Sequence, residues 1–254
     1  MLIDSHCHIH DSDYPVNADE AIARAKKSGV EQLICIGTDA DNSRQAINFA
    51  NNHEDVFASV GVHPCNCESG LGNVADILAE NNQKVVAVGE IGLDYHYGKG
   101  QRDLQIELLK QQIKLAIKYD LPIIFHVREA FEDFWPIIDE FIDKGAKIRG
   151  VVHSFTDSPE NAAKSINHGF YIGVNGFSTF IKDDVLKNMY ASLPLDKIIL
   201  ETDAPYLTPV PFRGKVNEPA FVRNIACFHA SIRQISVDRV EKTTTTNVCE
   251  LFNL

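Results

Sequence analysis

The sequence predicts an α/β protein of the (β/α)8 TIM-barrel class. Short apolar segments recur eight times along the chain, and longer segments with helical spacing alternate with them. The whole pattern occupies 254 residues, which is the usual size of such a barrel. A doubly wound open sheet is the competing arrangement, but no glycine-rich phosphate loop follows the first predicted strand to support it.

The predicted strands are runs rich in Val and Ile that polar or turn residues bound on both sides. In chain order they are residues 2–3, immediately before Asp4, then 32–37, 56–62, 84–90, 121–126, 148–154, 169–174 and 197–203. The clearest helical segments between them are 18–29, 102–120, 131–145 and 158–169. No low-complexity tract, long like-charge run or Ser/Gly linker interrupts this alternation, so the sequence predicts a single domain covering residues 1–254.

The helical assignments depend on apolar spacing and on stop signals. In the second helical segment, Leu108 and Ile113 belong to a broad apolar stripe. Asp120 then precedes Leu121 and Pro122, and a proline disfavours helical geometry in the residue before it. The segments that begin at residues 131 and 158 each end at a glycine, which is a frequent helix stop.

Composition limits the function classes that fit the chain. Residues are 44% hydrophobic and 23% charged, which is typical of a globular protein with a substantial core. Six cysteines without an export signal or a membrane-length apolar run predict free thiols in a reducing, cytoplasmic location and no membrane association. The formal net charge of −11 disfavours general attraction to nucleic acid, so phosphate chemistry would need positive charge from metal ions. The oligomeric state is left open, and a monomer is compatible with the sequence.

Ionisable residues recur at the carboxyl ends of the predicted strands, which form the working face of barrel enzymes. They are His6 and His8 from the first strand, His63 from the third, Glu90 from the fourth, His126 from the fifth, His153 from the sixth and Asp203 from the eighth. One such histidine is more often structural than functional, but packing gives no reason for the recurrence across so many strands. His10 differs, because it lies past the first strand beside Asp11 and is expected to be exposed.

Imidazole and carboxylate groups together suit divalent metal ions. His6 and His8 are two residues apart in a strand, so both rings face the same way and can bind the same ion. Four imidazoles and two carboxylates suit two ions that share a bridging carboxylate better than they suit one ion. These ligand types serve Zn, Mn, Fe and, less tightly, Mg, so the sequence leaves the native metal open.

Seven motifs occur in one order along the chain: DSHCH, VGVHP, GEIGLDYH, PIIFHVREA, VVHSFT, ETDAPYLTPVPFRGKVNEPAFV and TTTTNVCELF. With these motifs the chain resembles the TatD family of metal-dependent hydrolases within the amidohydrolase superfamily, from residue 3 to about residue 252. The resemblance implies a TIM-barrel enzyme with a binuclear Mg, Mn or Zn site that acts on DNA as a transient substrate. It implies a deoxyribonuclease, and some relatives also act on mischarged aminoacyl-tRNA.

The resemblance also implies roles for individual residues. It assigns six metal ligands: His6, His8 and Asp203 to one ion, His126 and His153 to the second, and Glu90 as the bridge. It assigns three residues to the substrate side of the site: Arg128, His63 and Asn217.

We expect the two ions to serve phosphodiester hydrolysis, with Asp203 as the base that orients the attacking water and takes its proton. Glu90 would fix the spacing between the ions. Arg128 would clamp phosphate through its planar guanidinium, and the alternative for this side chain is a local ion pair with Glu129 or Asp133.

Two other functions fit the same residues. A hydrolase of the same superfamily could cleave a cyclic amide, a lactone or an aminoacyl-tRNA ester, because fold does not fix substrate. A metal-binding protein without turnover is the second alternative, and it predicts metal uptake without hydrolysis.

Overall fold

The computed structural model describes residues 1–98 and 100–254, and its strands form the predicted parallel barrel. The strands are β1 (Leu2–Cys7), β2 (Val30–Cys35), β3 (Val56–Val60), β4 (Val85–Asp94), β5 (Ile123–Arg128), β6 (Gly150–Val152), β7 (Tyr171–Val174) and β8 (Ile198–Leu200). They lie side by side in chain order, and each neighbouring pair from β1 and β2 to β7 and β8 is parallel. Every strand overlaps one of the eight predicted runs, so the predicted fold class is confirmed.

The helices surround the strands. They are α1 (Ala18–Lys27), α2 (Ala40–Asn51), α3 (Val74–Ala79), α4 (Arg102–Tyr119), α5 (Phe131–Asp143), α6 (Pro159–Asn167), α7 (Asp184–Ser192), α8 (Val222–Arg233) and α9 (Val237–Phe252). Side-chain caps satisfy free backbone N–H groups at several helix starts, as where Asn17 accepts from Glu20 and Ser158 accepts from Asn161. Among the described residues, no helix is long and apolar enough to span a lipid bilayer.

Helix α9 closes the end of the barrel opposite the strands' carboxyl ends. Val248, Leu251 and Phe252 of α9 are buried in one cluster with Ile3 of β1 and Ile199 of β8. A second, larger apolar cluster fills the layer between the strands and the surrounding helices. The apolar interior is thereby sealed at one end, and the polar side chains gather at the other.

The barrel closes between β1 and the chain that follows β8. The backbone N–H of Asp203 donates to the carbonyl of His6 at 2.8 Å, and the N–H of His8 donates to the carbonyl of Ala204 at 2.8 Å. Beneath them, the fully buried Asp4 carboxylate accepts from the backbone N–H of Thr202 at 2.8 Å. Burial raises the pKa of Asp4 to about 8, because its effect exceeds that of the Thr202 hydrogen bonds, which lower the pKa. We call this junction the closing seam.

His229 of α8 is a buried histidine outside the polar end of the barrel. The Ser178 hydroxyl donates to the carbonyl of Asn175, so its oxygen is free to accept the Nε2–H of His229 at 3.1 Å. Tyr190 and Phe228 pack their rings against the imidazole. Burial, and then the charge of Arg233, lowers the pKa of His229 to about 3, so the ring is neutral in the folded protein.

This histidine predicts a loss of stability in acid. Below the ordinary histidine pKa of about 6.5, the unfolded chain binds a proton that folded His229 does not, so the free energy of unfolding falls. Between pH 7 and pH 5, His229 alone should lower the free energy of unfolding by about 2 kcal/mol. Urea unfolding at both pH values should show a smaller fall for His229→Gln than for the wild type. His96→Gln, which removes an exposed histidine, is the control; equal falls in all three proteins would contradict the prediction.

Candidate metal centre

The predicted metal ligands converge at the carboxyl end of the barrel, around a cavity of about 910 Å³. Five of the six line that cavity: His8, Glu90, His126, His153 and Asp203. His6 is fully buried beneath them. The ligands come from β1, β4 and β5 and from positions just after β1, β6 and β8, because neighbouring parallel strands end on the same face.

The carboxylate of Glu90 lies at the middle of the cluster. Its Oε2 is 3.4 Å from Nε2 of His6, and its Oε1 is 2.7 Å from Nδ1 of His126. The same Oε1 lies 3.6 Å from Nε2 of His153 and 3.8 Å from Nε2 of His63. Glu90 thus faces rings from four different segments, which is the geometry that a bridging ligand requires.

Asp203 faces two of the same rings, those of His6 and His153, and also the ring of His8. Its Oδ1 lies 3.5 Å from Nε2 of His8, 3.6 Å from Nε2 of His6 and 3.9 Å from Nε2 of His153. The strand predicted over residues 197–203 ends earlier, at Leu200. Asp203 therefore lies in the loop that follows β8, and its own backbone φ is 59°. The closing seam holds that loop against β1 and therefore sets the distance from Asp203 to His6 and His8.

Three sets of donor atoms lie within 4.8 Å of one another and fit a divalent ion: His6, His8 and Asp203; His6, Glu90 and His153; and His63, Glu90 and His126. The first set matches the ligands predicted for the first ion. The ligands predicted for the second ion are divided between the other two sets, with Glu90 in both. Nδ1 of the buried His6 has no hydrogen-bond partner among the described residues. Imidazole nitrogens and carboxylate oxygens are donors that Zn, Mn and Mg accept, so the cluster fits divalent ions.

Charges in the cluster compensate one another. Burial alone would raise the pKa of Glu90, but the surrounding imidazoles lower it well below its usual range. Burial disfavours the imidazolium of His153, yet the carboxylates of Glu201 and Glu90 raise its pKa to about 10. Burial also opposes ionisation of Asp203, and the hydrogen bond with His8 and the nearby imidazoles lower its pKa. The acids are therefore held in the ionised form that metal binding requires.

Two buried carboxylates beside the cluster were missed by sequence reasoning. Asp94 Oδ2 lies 2.9 Å from Nε2 of His126, and Glu201 Oε1 lies 3.0 Å from Nδ1 of His153, although that second contact is not aligned as a hydrogen bond. The strand predicted to end at Glu90 continues to Asp94. Side chains four residues apart in a strand share a face, so the spacing of Glu90 and Asp94 was the available signal.

Arg128 and His63, two of the three predicted substrate-side residues, line the cavity. The guanidinium of Arg128 lies over the ring of Tyr97, 4.8 Å from its centre. The two local ion pairs that were the alternative for Arg128 are not formed, because Glu129 pairs with His96 at 2.7 Å and Asp133 pairs with Arg102 at 2.6 Å.

Asn217, the third predicted substrate-side residue, is fully buried. Its amide donates to the carbonyl of Thr202 at 2.8 Å and to the carbonyl of Tyr206. These two hydrogen bonds hold the loop that carries Asp203 in place. The predicted contact of Asn217 with substrate stays a prediction.

The expectation that His10 is exposed is wrong. Its side chain is fully buried, and Nε2 lies 3.1 Å from Oδ1 of Asp11 and 3.3 Å from Oδ1 of Asn42. Asn42 belongs to α2 and also donates to Asp11 at 2.7 Å. The loop after β1 therefore folds back onto α2, and the His10 ring packs there, 6.5 Å from the ring of His8.

Known proteins resemble this chain over all or nearly all of its length. It is 36% identical to YabD of Bacillus subtilis (strain 168), an uncharacterized metal-dependent hydrolase, over 100% of both chains. It is 33% identical to a deoxyribonuclease, Tat-D, of Schizosaccharomyces pombe, over 94% of this chain and 88% of that protein. The crystal structure of YjjV, a TatD homologue from Escherichia coli K12, superposes with a TM-score of 0.92 at 31% identity, covering 100% of this chain and 98% of the other.

A family model adds to these pairwise similarities. The model described as TatD related DNase matches residues 3–253, and that range includes every strand of the barrel except the first residue of β1, together with the whole histidine and carboxylate cluster. With the fold and the relatives, this match shows that the chain belongs to the TatD related DNase family of metal-dependent hydrolases.

Proposed function

We propose that this protein is a divalent-metal-dependent deoxyribonuclease, an exonuclease that hydrolyses phosphodiester bonds of DNA at a site holding two ions of Mg, Mn or Zn. The observation that carries the proposal is the convergence of six ligand side chains beside a cavity with a guanidinium at its rim: His6, His8, Glu90, His126, His153 and Asp203. A relative named as a deoxyribonuclease supports DNA as the substrate. His6, His8 and Asp203 would hold one ion, His126 and His153 the other, and Glu90 both.

Arg128 and His63 are suited to the phosphate. Arg128 presents a planar set of N–H donors that matches phosphate oxygens, and its stacking on Tyr97 orients it without a competing carboxylate. Nδ1 of His63 accepts the backbone N–H of Cys65 at 3.1 Å, which leaves the proton of the neutral ring on Nε2. Burial lowers the pKa of His63 to about 4, so near pH 7 the ring is a neutral donor toward the cavity.

The chemistry divides between the ions and Asp203. Divalent ions, when bound, supply Lewis acidity toward the phosphoryl oxygens and make water a stronger acid. Asp203 takes the proton of the attacking water on its carboxylate, the water oxygen bonds to phosphorus, and the sugar oxygen leaves with the electrons of the broken P–O bond. Positive charge from the ions and Arg128 offsets the repulsion between the phosphates and a chain of net charge −11.

The test uses metal-stripped protein and end-labelled single- and double-stranded DNA, with Mg, Mn or Zn added in turn. We expect progressive shortening of DNA from an end only when a divalent ion is present, and loss of this activity in His6→Ala. Cyclic amides, lactones and aminoacyl-tRNA are assayed in parallel. Turnover of one of these without cleavage of DNA would overturn the nuclease proposal in favour of another hydrolase. Metal uptake with no turnover of any substrate would favour a non-catalytic metal-binding protein.

A further inference from the structure

Asp94 is a buried carboxylate beside the proposed metal centre that the proposed reaction does not use. It is the last residue of β4 and only 1% exposed. Its two oxygens have different partners: Oδ1 accepts the backbone N–H of Tyr97 at 2.7 Å, and Oδ2 lies 2.9 Å from Nε2 of His126. A buried carboxylate aimed at the outer nitrogen of a predicted metal ligand needs an explanation.

The backbone of Asp94 is fixed from both sides. Gln105 of α4 is fully buried; its Oε1 accepts the N–H of Asp94 at 2.8 Å, and its Nε2 donates to the carbonyl of Asp94 at 3.0 Å. The extension of β4 keeps it paired with β5, where Gly92 lies beside His126 and Asp94 beside Arg128. The position of the Asp94 carboxylate relative to the His126 ring is therefore determined by α4, β4 and β5 together.

The contact dictates which ring nitrogen of His126 carries a proton. An ionised carboxylate only accepts hydrogen bonds, so Nε2 of His126 must donate to Asp94. The other ring nitrogen, Nδ1, faces the ionised carboxylate of Glu90 at 2.7 Å, on the side where the proposed ion would lie, so it donates to Glu90 until an ion replaces its proton. A metal ligand needs a free lone pair on the nitrogen that binds, and a proton held on the far nitrogen provides it.

The geometry points to Asp94 as a positioning residue that keeps the proton of His126 on Nε2 and so reserves Nδ1 for the second ion. This inference rests on the proposed two-ion centre, and it concerns a residue outside the six proposed ligands. Asp94 does not touch the reacting atoms, because it acts through His126.

Asp94→Asn is the informative variant, because asparagine has nearly the same shape and reverses the polarity of one contact. Its Oδ1 still accepts from Tyr97, and its amide nitrogen then donates to Nε2 of His126. The neutral ring then keeps its one proton on Nδ1, where Glu90 accepts it, and Nδ1 is the nitrogen needed by the ion. We expect calorimetric titration with Mn²⁺ to show one of two sites weakened ~10–100-fold and the other unchanged. Nitrogen NMR of the metal-free proteins should show Nε2 of His126 protonated in the wild type and unprotonated in the variant.

Two comparisons separate positioning from mere structural support. Asp133→Asn removes a carboxylate that pairs with Arg102 and accepts from Tyr95 but does not line the cavity, and it should leave both Mn²⁺ affinities unchanged. If Asp94 only anchored Tyr97, Asp94→Asn would keep wild-type affinity and Asp94→Ala alone would lose it; that result overturns the inference.

The NMR measurement on the wild type keeps the inference testable even if the variant fails to fold, because an unprotonated Nε2 there overturns it directly. A wild type that binds no Mn²⁺ would instead overturn the proposed metal centre, whereas an Asp94→Asn variant with two wild-type affinities would overturn the role of Asp94 alone.

Discussion

Replacing Glu90 with glutamine is expected to abolish hydrolysis and to leave at most one tightly bound divalent ion. Glu90 is the carboxylate shared by two of the three donor groups, and it lies within 4 Å of four imidazoles. An amide has no negative charge and one oxygen fewer, so it cannot bridge two cations. Loss of a partner outside the ligand shell typically costs ~10–100-fold in metal affinity, and loss of the bridge should cost more than that.

Bound metal is measured by elemental analysis after dialysis, and hydrolysis by release of end label from DNA. Glu80→Gln is the matched control, because Glu80 pairs with Arg44 on an exposed surface and the same chemical change there should alter neither quantity. Two ions retained by Glu90→Gln at wild-type affinity would remove Glu90 from the bridging role.

Replacing Asp203 with asparagine is expected to lower kcat by ~10²–10⁴-fold, the usual contribution of a general base, with a smaller effect on KM. Asparagine tolerates the left-handed backbone of this position as well as aspartate does, and the backbone N–H that donates to His6 is retained. The fold and the closing seam should therefore survive. The lost property is the ability of the side chain to take a proton near neutral pH.

Metal content must be measured with the rate, because Asp203 is also a proposed ligand. Asp157→Asn is the control: Asp157 lines the same cavity, and its carboxylate accepts from Ser158 and Asn161 rather than facing the imidazoles. Near-normal turnover by Asp203→Asn with a full complement of metal would exclude Asp203 as the base.

The fold and the convergence of the cluster could be predicted because both follow from local pattern and from the geometry of a barrel. Apolar runs mark the strands, and the strands of a parallel barrel end on one face, so a residue's place at a strand end fixes its place in space. His126 and His153 illustrate this, since they lie far from His6 in sequence and their rings approach one site.

What could not be predicted depends on contacts between distant segments. Thr243–Thr246 have low helix propensity, yet they lie within α9, where Thr244 donates to the carbonyl of Val240 and Thr245 to that of Met1. Glu90 resembles a strand end in sequence, and only the pairing of β4 with β5 and the contacts of Gln105 show that the strand continues to Asp94. His10 is buried because α2 supplies Asn42, a contact that no local pattern indicates.

The closing seam also bears on synthesis of the protein on the ribosome. His6 and His8 emerge first, but Asp203, which completes their donor group, emerges only after all eight strands have been made. A chain that ends before Asp203 therefore lacks the carboxylate of this donor group, however well its earlier segments fold.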